Sequence, residues 1–333
     1  MVNNIIGFML IDAPYSALNN AGNDAGDRTD NIVKVKSITK YTNDGKRVYP
    51  YVSGQALRYW WRDTLEKQFD WELSPINREK KIAFTEANPI TYQDDDVFGY
   101  MRAMKKKEGG TVTRISPLKN SPLISVVNQT PTRDFGVMSR QKEGDPVPFE
   151  HEFYSTILKG IFSLDISNLG KFSESEKTGY HNMYPSLIEQ AENDGLEHVD
   201  DEWILDKETR IQRAKDVIKA LPYLNGGAKN TSHLTDVSPN LIILSSISTG
   251  NNIFMNVVYE EDNELKFDID ALAEVLSDYE DKLTSNIYIG MRKGFLPETY
   301  EKLKTFANEN DKVEFGSIKE ITDKFSGKIE ELI

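Results

Sequence analysis

The sequence predicts an α+β fold in which helices cover an antiparallel sheet. Residues 4–11 form a nearly continuous apolar run that is short enough for one buried strand. A helical stripe of apolar residues begins after Ser53, and from residue 152 onward strand patterns alternate with further helical stripes. This order of strands and helices fits an RRM-like, or ferredoxin-like, sheet with large insertions. The aromatic signature of ordinary RRMs is not in the sequence.

The length and composition suit an intracellular protein with a full core. The 333 residues allow one elaborated domain or two coupled ones, and we take 1–333 as a single elaborated unit. The absence of cysteine excludes disulfides and thiolate metal sites, which suits a cytoplasmic location. No apolar run reaches the roughly 18 residues that a membrane span needs, so we expect no membrane contact.

The charge is distributed unevenly along the chain. The net charge is −13, but residues 101–144 carry nine basic and three acidic side chains. That segment is therefore +6, and the remainder is −19. Such segregation permits a local polyanion-binding surface on an acidic protein.

The first strand leads into a loop rich in Asn, Gly and Asp over residues 12–30. Asn19, Asn20 and Gly22 in this loop could hold a phosphate or a ribose. A plain surface loop is the equal alternative.

Residues 31–41 alternate as a strand with Lys34, Lys36 and Lys40 in a row on one side. After the turn at residues 43–45, residues 46–52 return as the hairpin partner and lead to the next helix.

A helix is predicted to begin at Ser53, whose hydroxyl suits an N-cap. Its other face carries Gln55, Arg58, Arg62 and Glu66. A helix N-terminus beside planar guanidinium groups could seat an anion. Alternatively, Arg62 pairs with Glu66 and Arg58 is solvated. The apolar stripe consists of Leu57, Trp60, Trp61, Leu65 and Phe69.

Two regions, 70–113 and 171–207, are predicted to be insertions into the sheet domain. The acidic run at residues 94–96 suits a helix N-terminus, where carboxylates are favoured. The cluster of Lys105, Lys106 and Lys107 is either a solvated loop or part of the polyanion-binding surface.

Residues 128–150 are predicted to form a hairpin that projects basic and apolar side chains together. Apolar side chains there could displace a base while cations hold the flanking phosphates. The residues concerned are Arg133, Phe135, Val137, Met138, Arg140 and Lys142.

The C-terminal half continues with a central strand at residues 153–166 and a helix that ends near Pro222. Gly226 and Gly227 beside Lys229 could approach a phosphate, or they form only a turn. Strands are predicted at residues 241–247, 253–259 and 287–291, and helices at 268–283, 298–308 and 318–332.

The sequence marks no catalytic or metal site. The four histidines are scattered, with no spacing typical of a metal site or a catalytic triad. We therefore expect neither a cofactor nor a bound metal.

Several motifs together carry a family resemblance. They are the residues Val-Ser-Gly-Gln-Ala-Leu-Arg at 52–58, Asp-Val-Phe-Gly-Tyr at 96–100, Arg-Ile-Ser-Pro-Leu at 114–118, the strand from 153, and Leu-Asn-Gly-Gly-Ala-Lys at 224–229. In this order the chain resembles the DevR-type backbone subunit of the CRISPR Cascade complex, in the RAMP superfamily and closest to the type I-B branch.

The resemblance implies a non-catalytic, RNA-binding subunit that polymerises head to tail along the CRISPR guide RNA and presents it to target DNA. It also implies other Cascade subunits as partners: a cap at the 5′ end of the guide, a repeat endonuclease and a large subunit. Within the family a thumb hairpin displaces guide bases, which we expect at 128–150, and Lys105, Lys106 and Lys107 could guide target DNA. The expected RNA-binding residues are Asn19, Asn20, Gly22, Lys34, Lys36, Ser53, Gln55, Arg58, Arg62, Arg133, Met138, Arg140, Gly226, Gly227 and Lys229.

Two alternatives stay open. In related type III subunits an acidic residue after the first strand helps cleave target RNA, and Asp24 and Asp27 lie in that loop here. A protein-only scaffold is the other, in which the basic segment binds the acidic surface of a neighbouring subunit.

Overall fold

The computed structural model describes residues 3–22, 32–43, 45–138 and 147–333. Within these ranges the fold is α+β, with one large, mostly antiparallel sheet and eight α-helices. The strands are β1 Asn4–Ser16, β2 Asn20–Gly22, β3 Ile32–Val35, β4 Ser37–Thr42, β5 Gly45–Val52, β6 Asn77–Glu79, β7 Ile82–Phe84, β8 Tyr100–Ala103, β9 Thr111–Arg114, β10 Leu118–Asn120, β11 Leu123–Ser125, β12 Thr132–Met138, β13 Val147–Asp165, β14 Lys171–Ser173, β15 Glu197–Val199, β16 Glu202–Ile204, β17 Leu241–Ile247, β18 Val258–Glu261, β19 Glu264–Phe267, β20 Ile287–Met291 and β21 Val313–Gly316. The helices are α1 Gly54–Phe69, α2 Gln93–Phe98, α3 Pro185–Asn193, α4 Lys207–Lys219, α5 Asn230–His233, α6 Ile269–Asp278, α7 Pro297–Asn308 and α8 Ile318–Leu332.

The first strand lies in the middle of the large sheet, whose order is β21-β20-β17-β1-β13-β11-β5-β4. β1 is antiparallel to both neighbours, β13 and β17, and only the outer pair β20 and β21 within this path is parallel. The central position predicted for residues 4–11 is confirmed, because an apolar run with both faces buried belongs inside a sheet.

Helices cover both faces of the sheet, as the alternation along β1 requires. Ile5 and Met9 belong to the cluster with α1, α4 and α8, whereas Ile6 and Phe8 belong to the cluster with α6 and α7. In the first cluster the Trp61 indole meets the Phe162 ring edge-on, with centroids 5.1 Å apart.

The two predicted insertions pack against each other. A third apolar cluster joins Ile90 from the first region to Phe172, Leu187 and Trp203 from the second. The Thr113 amide and the His181 carbonyl also bond at 2.8 Å, so the two regions form one body beside the sheet.

A buried carboxylate joins this body to the helices. Asp96, fully buried in α2, pairs with Arg114 on β9 and with Arg213 on α4, the second pair at 2.6 Å. The Gly170 amide donates to the same carboxylate at 3.2 Å. The acidic run at residues 94–96 does begin a helix. Its carboxylates, however, are buried and accept hydrogen bonds from specific donors, and they are not solvated groups at the positive end of the helix dipole.

Several predicted elements are confirmed and some are wrong. The strand at 287–291 and the helix at 318–332 have the predicted bounds. The strand predicted at 253–259 begins only at Val258, and the helix predicted at 268–283 ends at Asp278. The predicted strand 31–41 divides at Lys36 into β3 and β4. Among the described helices, none is long and apolar enough to cross a bilayer.

Asp94 gives a pH-dependent prediction. It is 6% exposed, and burial raises its pKa to about 6, although the Ser74 amide donates to it at 2.9 Å. A raised pKa favours the folded state at low pH and loses that contribution as the pH rises through the folded value. Replacing Asp94 by Asn keeps an acceptor for Ser74 and removes the charge.

We therefore expect the stability of Asp94→Asn relative to wild type to increase by about 2 kcal/mol between about pH 4 and pH 7. Urea unfolding at each pH measures this difference. Glu66→Gln, on the exposed face of α1, is the matched control and should show no such trend. If the stability difference between Asp94→Asn and wild type does not change with pH, Asp94 is not a buried carboxylate with a raised pKa.

Candidate nucleic-acid interface

The N-terminal end of α1 is held by its own cap residue, Ser53, and by Asn19 from the loop after β1. Ser53 is the N-cap, and its hydroxyl accepts a hydrogen bond from the Ala56 amide at 3.3 Å. The Asn19 side-chain oxygen accepts from the Ser53 amide at 2.9 Å. The predicted cap is confirmed, and Asn19 fastens the loop after β1 to the helix. Gln55, in the first turn, is exposed.

The loop with two glycines packs on Trp60 of α1 and on Leu18 of the loop that holds Ser53. A Cβ on Gly226 would come within 2.1 Å of Trp60 Cδ1, and one on Gly227 within 2.5 Å of Leu18 Cδ2. Gly227 also has a φ of +102°, which favours glycine. The Ala228 amide donates to the Leu18 carbonyl at 3.0 Å. The two glycines are needed because a side chain at Gly226 would push the loop away from α1, and one at Gly227 would push it away from Leu18.

Three segments that the sequence suggested separately therefore meet at one place, which we call the α1 head: residues 18–20, residues 53–55 and residues 226–229. Lys229 is exposed and left-handed, with φ of 56°, and it leads into α5. Asn20 is exposed at the start of β2. Backbone, amide side chains and a lysine at one place suit a ribose-phosphate chain, which offers no sequence information.

The predicted row of three lysines is broken, because the strand divides at Lys36. The Lys36 amide donates to the Asn19 carbonyl at 3.0 Å, which turns the chain toward the α1 head. Lys34 lies in β3, opposite Gly22 of β2, whereas Lys40 lies in β4 and pairs in register with β5. Lys34 and Lys36 therefore stay beside the loop after β1, and Lys40 belongs to a different hairpin.

Arg58 is turned into the protein rather than toward a ligand or solvent. Its guanidinium donates to the carbonyls of Leu118 at 2.7 Å and Phe98 at 2.5 Å, and to the Ser116 hydroxyl at 3.0 Å. Burial lowers its pKa to about 10, with a contribution from nearby Arg62. Arg58 therefore ties α1 to residues 98–118, and we correct its predicted contact with RNA backbone to a positioning role.

Arg62 stacks on the Phe98 ring, with its Cζ 4.8 Å from the centroid. Burial lowers its pKa, an effect that Asp94 and Asp95 oppose. Its Nε is buried without a hydrogen-bond partner among the described residues. The neighbours of Arg62 are thus Phe98 and the two aspartates, and not Glu66.

Two antiparallel strands lie in the region of the predicted hairpin. β12 pairs with the first residues of β13, from Thr132 opposite Phe153 to Met138 opposite Val147. Apolar side chains remain in solvent on it, with Phe135 64% and Met138 62% exposed. Arg133 is 61% exposed and lies 3.5 Å from Glu152, so part of its charge is compensated.

A row of rings at the base of the hairpin was missed by the sequence reasoning. Phe149 and His151 stack with centroids 6.1 Å apart. The His233 ring of α5 lies 6.0 Å from His151 and 6.1 Å from Phe153. The rings connect the hairpin to the α1 head through the helix that follows Lys229. Aromatic residues at every second strand position were the available signal.

The remaining predicted residues lie elsewhere or cannot be located. Lys105, Lys106 and Lys107 are exposed on the inserted body, where Lys105 lies 3.7 Å from Glu108. Asp24, Asp27 and Arg140 fall outside the described residues. Across the described ranges, no group of three or more metal-ligating side chains is placed to hold an ion.

A family comparison matches most of the chain. The family model described as CRISPR-associated negative auto-regulator DevR/Csa2 matches residues 13–263. No protein of curated function matches the sequence.

Solved structures share the fold along almost the whole chain. One, a chain of a CRISPR RNA-guided surveillance complex, has a TM-score of 0.52 and covers 97% of this chain and 98% of its own. Another, from such a complex described as pre-nicking, has a TM-score of 0.57 and covers 98% and 100%. Both are 12% identical in sequence, so the likeness concerns the fold.

The close approach at Gly226 predicts the effect of one added methyl group. Gly226→Ala would force the loop and Trp60 apart, and we expect a loss of about 2 kcal/mol in the free energy of unfolding, measured in urea. Gly250→Ala is the control, because its Cβ would meet nothing within 4 Å. Equal stability of the two variants would show that the loop does not lie on α1.

Proposed function

The chain belongs to the DevR/Csa2 family of CRISPR-associated proteins, and on that premise we propose that it is a guide-RNA-binding backbone subunit of an RNA-guided surveillance complex of the type I-B-like Cascade class. It would hold the guide mainly by its backbone and present the bases to target DNA. We propose no catalytic role for it.

The meeting of three segments at the α1 head is the observation that carries this proposal. The first amides of a helix lack intrahelical partners. The glycine loop adds further backbone next to residues 18–20, which hold this helix end. Lys229, Lys34 and Lys36 supply positive charge close by. Such a site can grip any sequence of a single strand, as a subunit that repeats along a guide requires.

The strand order supports an RRM-like interpretation of the sheet. The inner strands run β17-β1-β13-β11, with α1 between β1 and β11 in the chain and α4 between β13 and β17. This is the β-α-β-β-α-β succession of ferredoxin-like folds. We interpret the sheet domain as a palm and the inserted body, residues 70–113 and 171–207, as fingers.

The hairpin at residues 128–150 is proposed as the thumb. Phe135 and Met138 are apolar and exposed, and Arg133 lies on the same β-ribbon. An apolar wedge can take the place of a base in a stack while a cation holds the neighbouring phosphate.

The partners follow from the same proposal. Copies of the chain would associate head to tail, with a subunit capping the guide's 5′ end, a repeat endonuclease and a large subunit completing the complex. The exposed cluster of Lys105, Lys106 and Lys107 would face target DNA.

Removing the lysines at the α1 head should weaken RNA binding and make the affinity depend less on salt concentration. For Lys34→Ala/Lys36→Ala/Lys229→Ala we expect lower affinity for single-stranded RNA in fluorescence anisotropy. The slope of log K against log salt should become shallower by about 2, because each lost phosphate contact contributes roughly 0.7.

The control is Lys302→Ala/Lys304→Ala/Lys312→Ala, which changes the net charge equally on and near α7. If both triple variants lose the same affinity, binding reflects net charge rather than the α1 head. If the wild type retains no RNA at low salt, the proposed function is wrong.

The thumb is tested separately with a fluorescent base analogue in the RNA. Met138→Ala/Phe135→Ala should abolish the fluorescence increase that accompanies unstacking of a base, while the affinity falls by no more than about threefold. Ile82→Ala, an exposed apolar side chain in the fingers, should leave the increase intact. An unchanged signal in the thumb variant would reject the wedge.

A further inference from the structure

Two hollows adjoin each other at Tyr223 and Arg292, and the first of them also borders the glycine loop of the α1 head. Each has a volume of about 440 Å³, and both are lined by Pro222, Tyr223 and Arg292. Because they share these residues, we call the pair the Tyr223 trough. Each half has the size of a pocket for a small organic group.

One end of the trough begins at the glycine loop. Leu224, Asn225 and Asn230, which flank Gly226 to Lys229, line the first hollow. The other end reaches the start of α8, where Ser317 and Lys319 line the second hollow.

The far half of the trough is cationic although the protein as a whole is acidic. Among the described residues that line it, Arg292, Lys293 and Lys319 are basic and none is acidic. Asp236 lies 3.2 Å from Arg292, and Asp323 lies 2.7 Å from Lys319, so the charge of these two cations is partly compensated. Lys293 is exposed.

An aromatic ring stands where the two hollows meet. Tyr223 is 44% exposed and is fixed by the turn at Leu221–Tyr223. The Tyr223 ring packs against the Phe69 ring at the C-terminal end of α1, with centroids 6.4 Å apart. A partly exposed ring flanked by cations is the usual arrangement for single-stranded nucleic acid, since the ring stacks on a base and the cations bind phosphates.

We infer that the Tyr223 trough binds the nucleotides that adjoin those held at the α1 head, with a base on Tyr223 and phosphates near Lys293 and Lys319. The inference rests on the proposed RNA-binding function and extends it by a second binding segment. An acidic peptide would also satisfy the cations, but a ring beside cations and a first hollow that borders the glycine loop favour a nucleic acid.

The absence of cysteine allows a direct test on the full-length chain. Lys293→Cys introduces a single thiol, to which a photoactivatable crosslinker is attached. Lys312→Cys, exposed at the opposite end of β21 from Ser317, is the control. Both labelled proteins are irradiated with single-stranded oligouridylate at a concentration that saturates binding in anisotropy.

We expect RNA crosslinking at Lys293→Cys at least about tenfold above the control. Lys293→Ala/Lys319→Ala should bind long oligouridylate about fivefold more weakly and leave the affinity for the shortest bound oligouridylate unchanged. This second measurement does not depend on the geometry of the crosslinker.

Opposite results overturn the inference. If RNA binds but crosslinks equally at both positions, and affinity for long RNA is unchanged in the double variant, the trough is not part of the RNA path and the α1 head still stands. Crosslinking of Lys293→Cys to another protein copy instead of RNA would assign the trough to protein contact. If wild type binds no RNA, both proposals fall together.

Discussion

The buried carboxylate of Asp96 is the constraint on which the arrangement of the molecule depends. It binds Arg114 of β9 and Arg213 of α4, residues far from it in sequence, and so joins the inserted body to the helical layer. Arg114 also donates to the Lys171 and Asn168 carbonyls, at 2.7 and 3.0 Å. Buried ion pairs add little net stability, but removal of one partner leaves an unpaired charge that costs about 3–5 kcal/mol. The network therefore favours one specific docking of the body over others.

That docking determines the shape of the α1 head. Arg213 lies on α4, and the α4 carbonyl of Val217 accepts a hydrogen bond from the Trp61 indole at 3.0 Å. On the other side of α1, Arg58 binds residues 98–118, which follow α2. The helix is thus fixed on two sides, and the glycine loop covers Trp60 in addition. A site on a rigid helix end loses less conformational entropy when a ligand binds than a site on free loops.

The elements that the sequence predicts well are those set by local patterns. Ser53 as an N-cap and the stripe of α8 follow from side chains a few residues apart, and the structure has both. The roles of Arg58 and Asp96 could not be predicted, because their partners are up to 117 residues away along the chain. The strand break at Lys36 likewise depends on a carbonyl supplied by Asn19. Periodicity describes the faces of single elements, whereas these contacts arise only when the elements pack.

The charge counted along a stretch of sequence likewise does not predict where charge lies on the surface. Within the described part of residues 101–144, the basic side chains do not form one surface, since Arg114 is buried with Asp96 and Arg102 pairs with Glu86 at 3.1 Å. The cations around the α1 head and the Tyr223 trough come instead from distant parts of the chain. On a protein of net charge −13, a few such cations cannot hold a polyanion at long range, because the surrounding carboxylates oppose them. Under the proposed function, binding would then depend on close fit to backbone amides and rings, which a flexible single strand can achieve and a stiff duplex cannot.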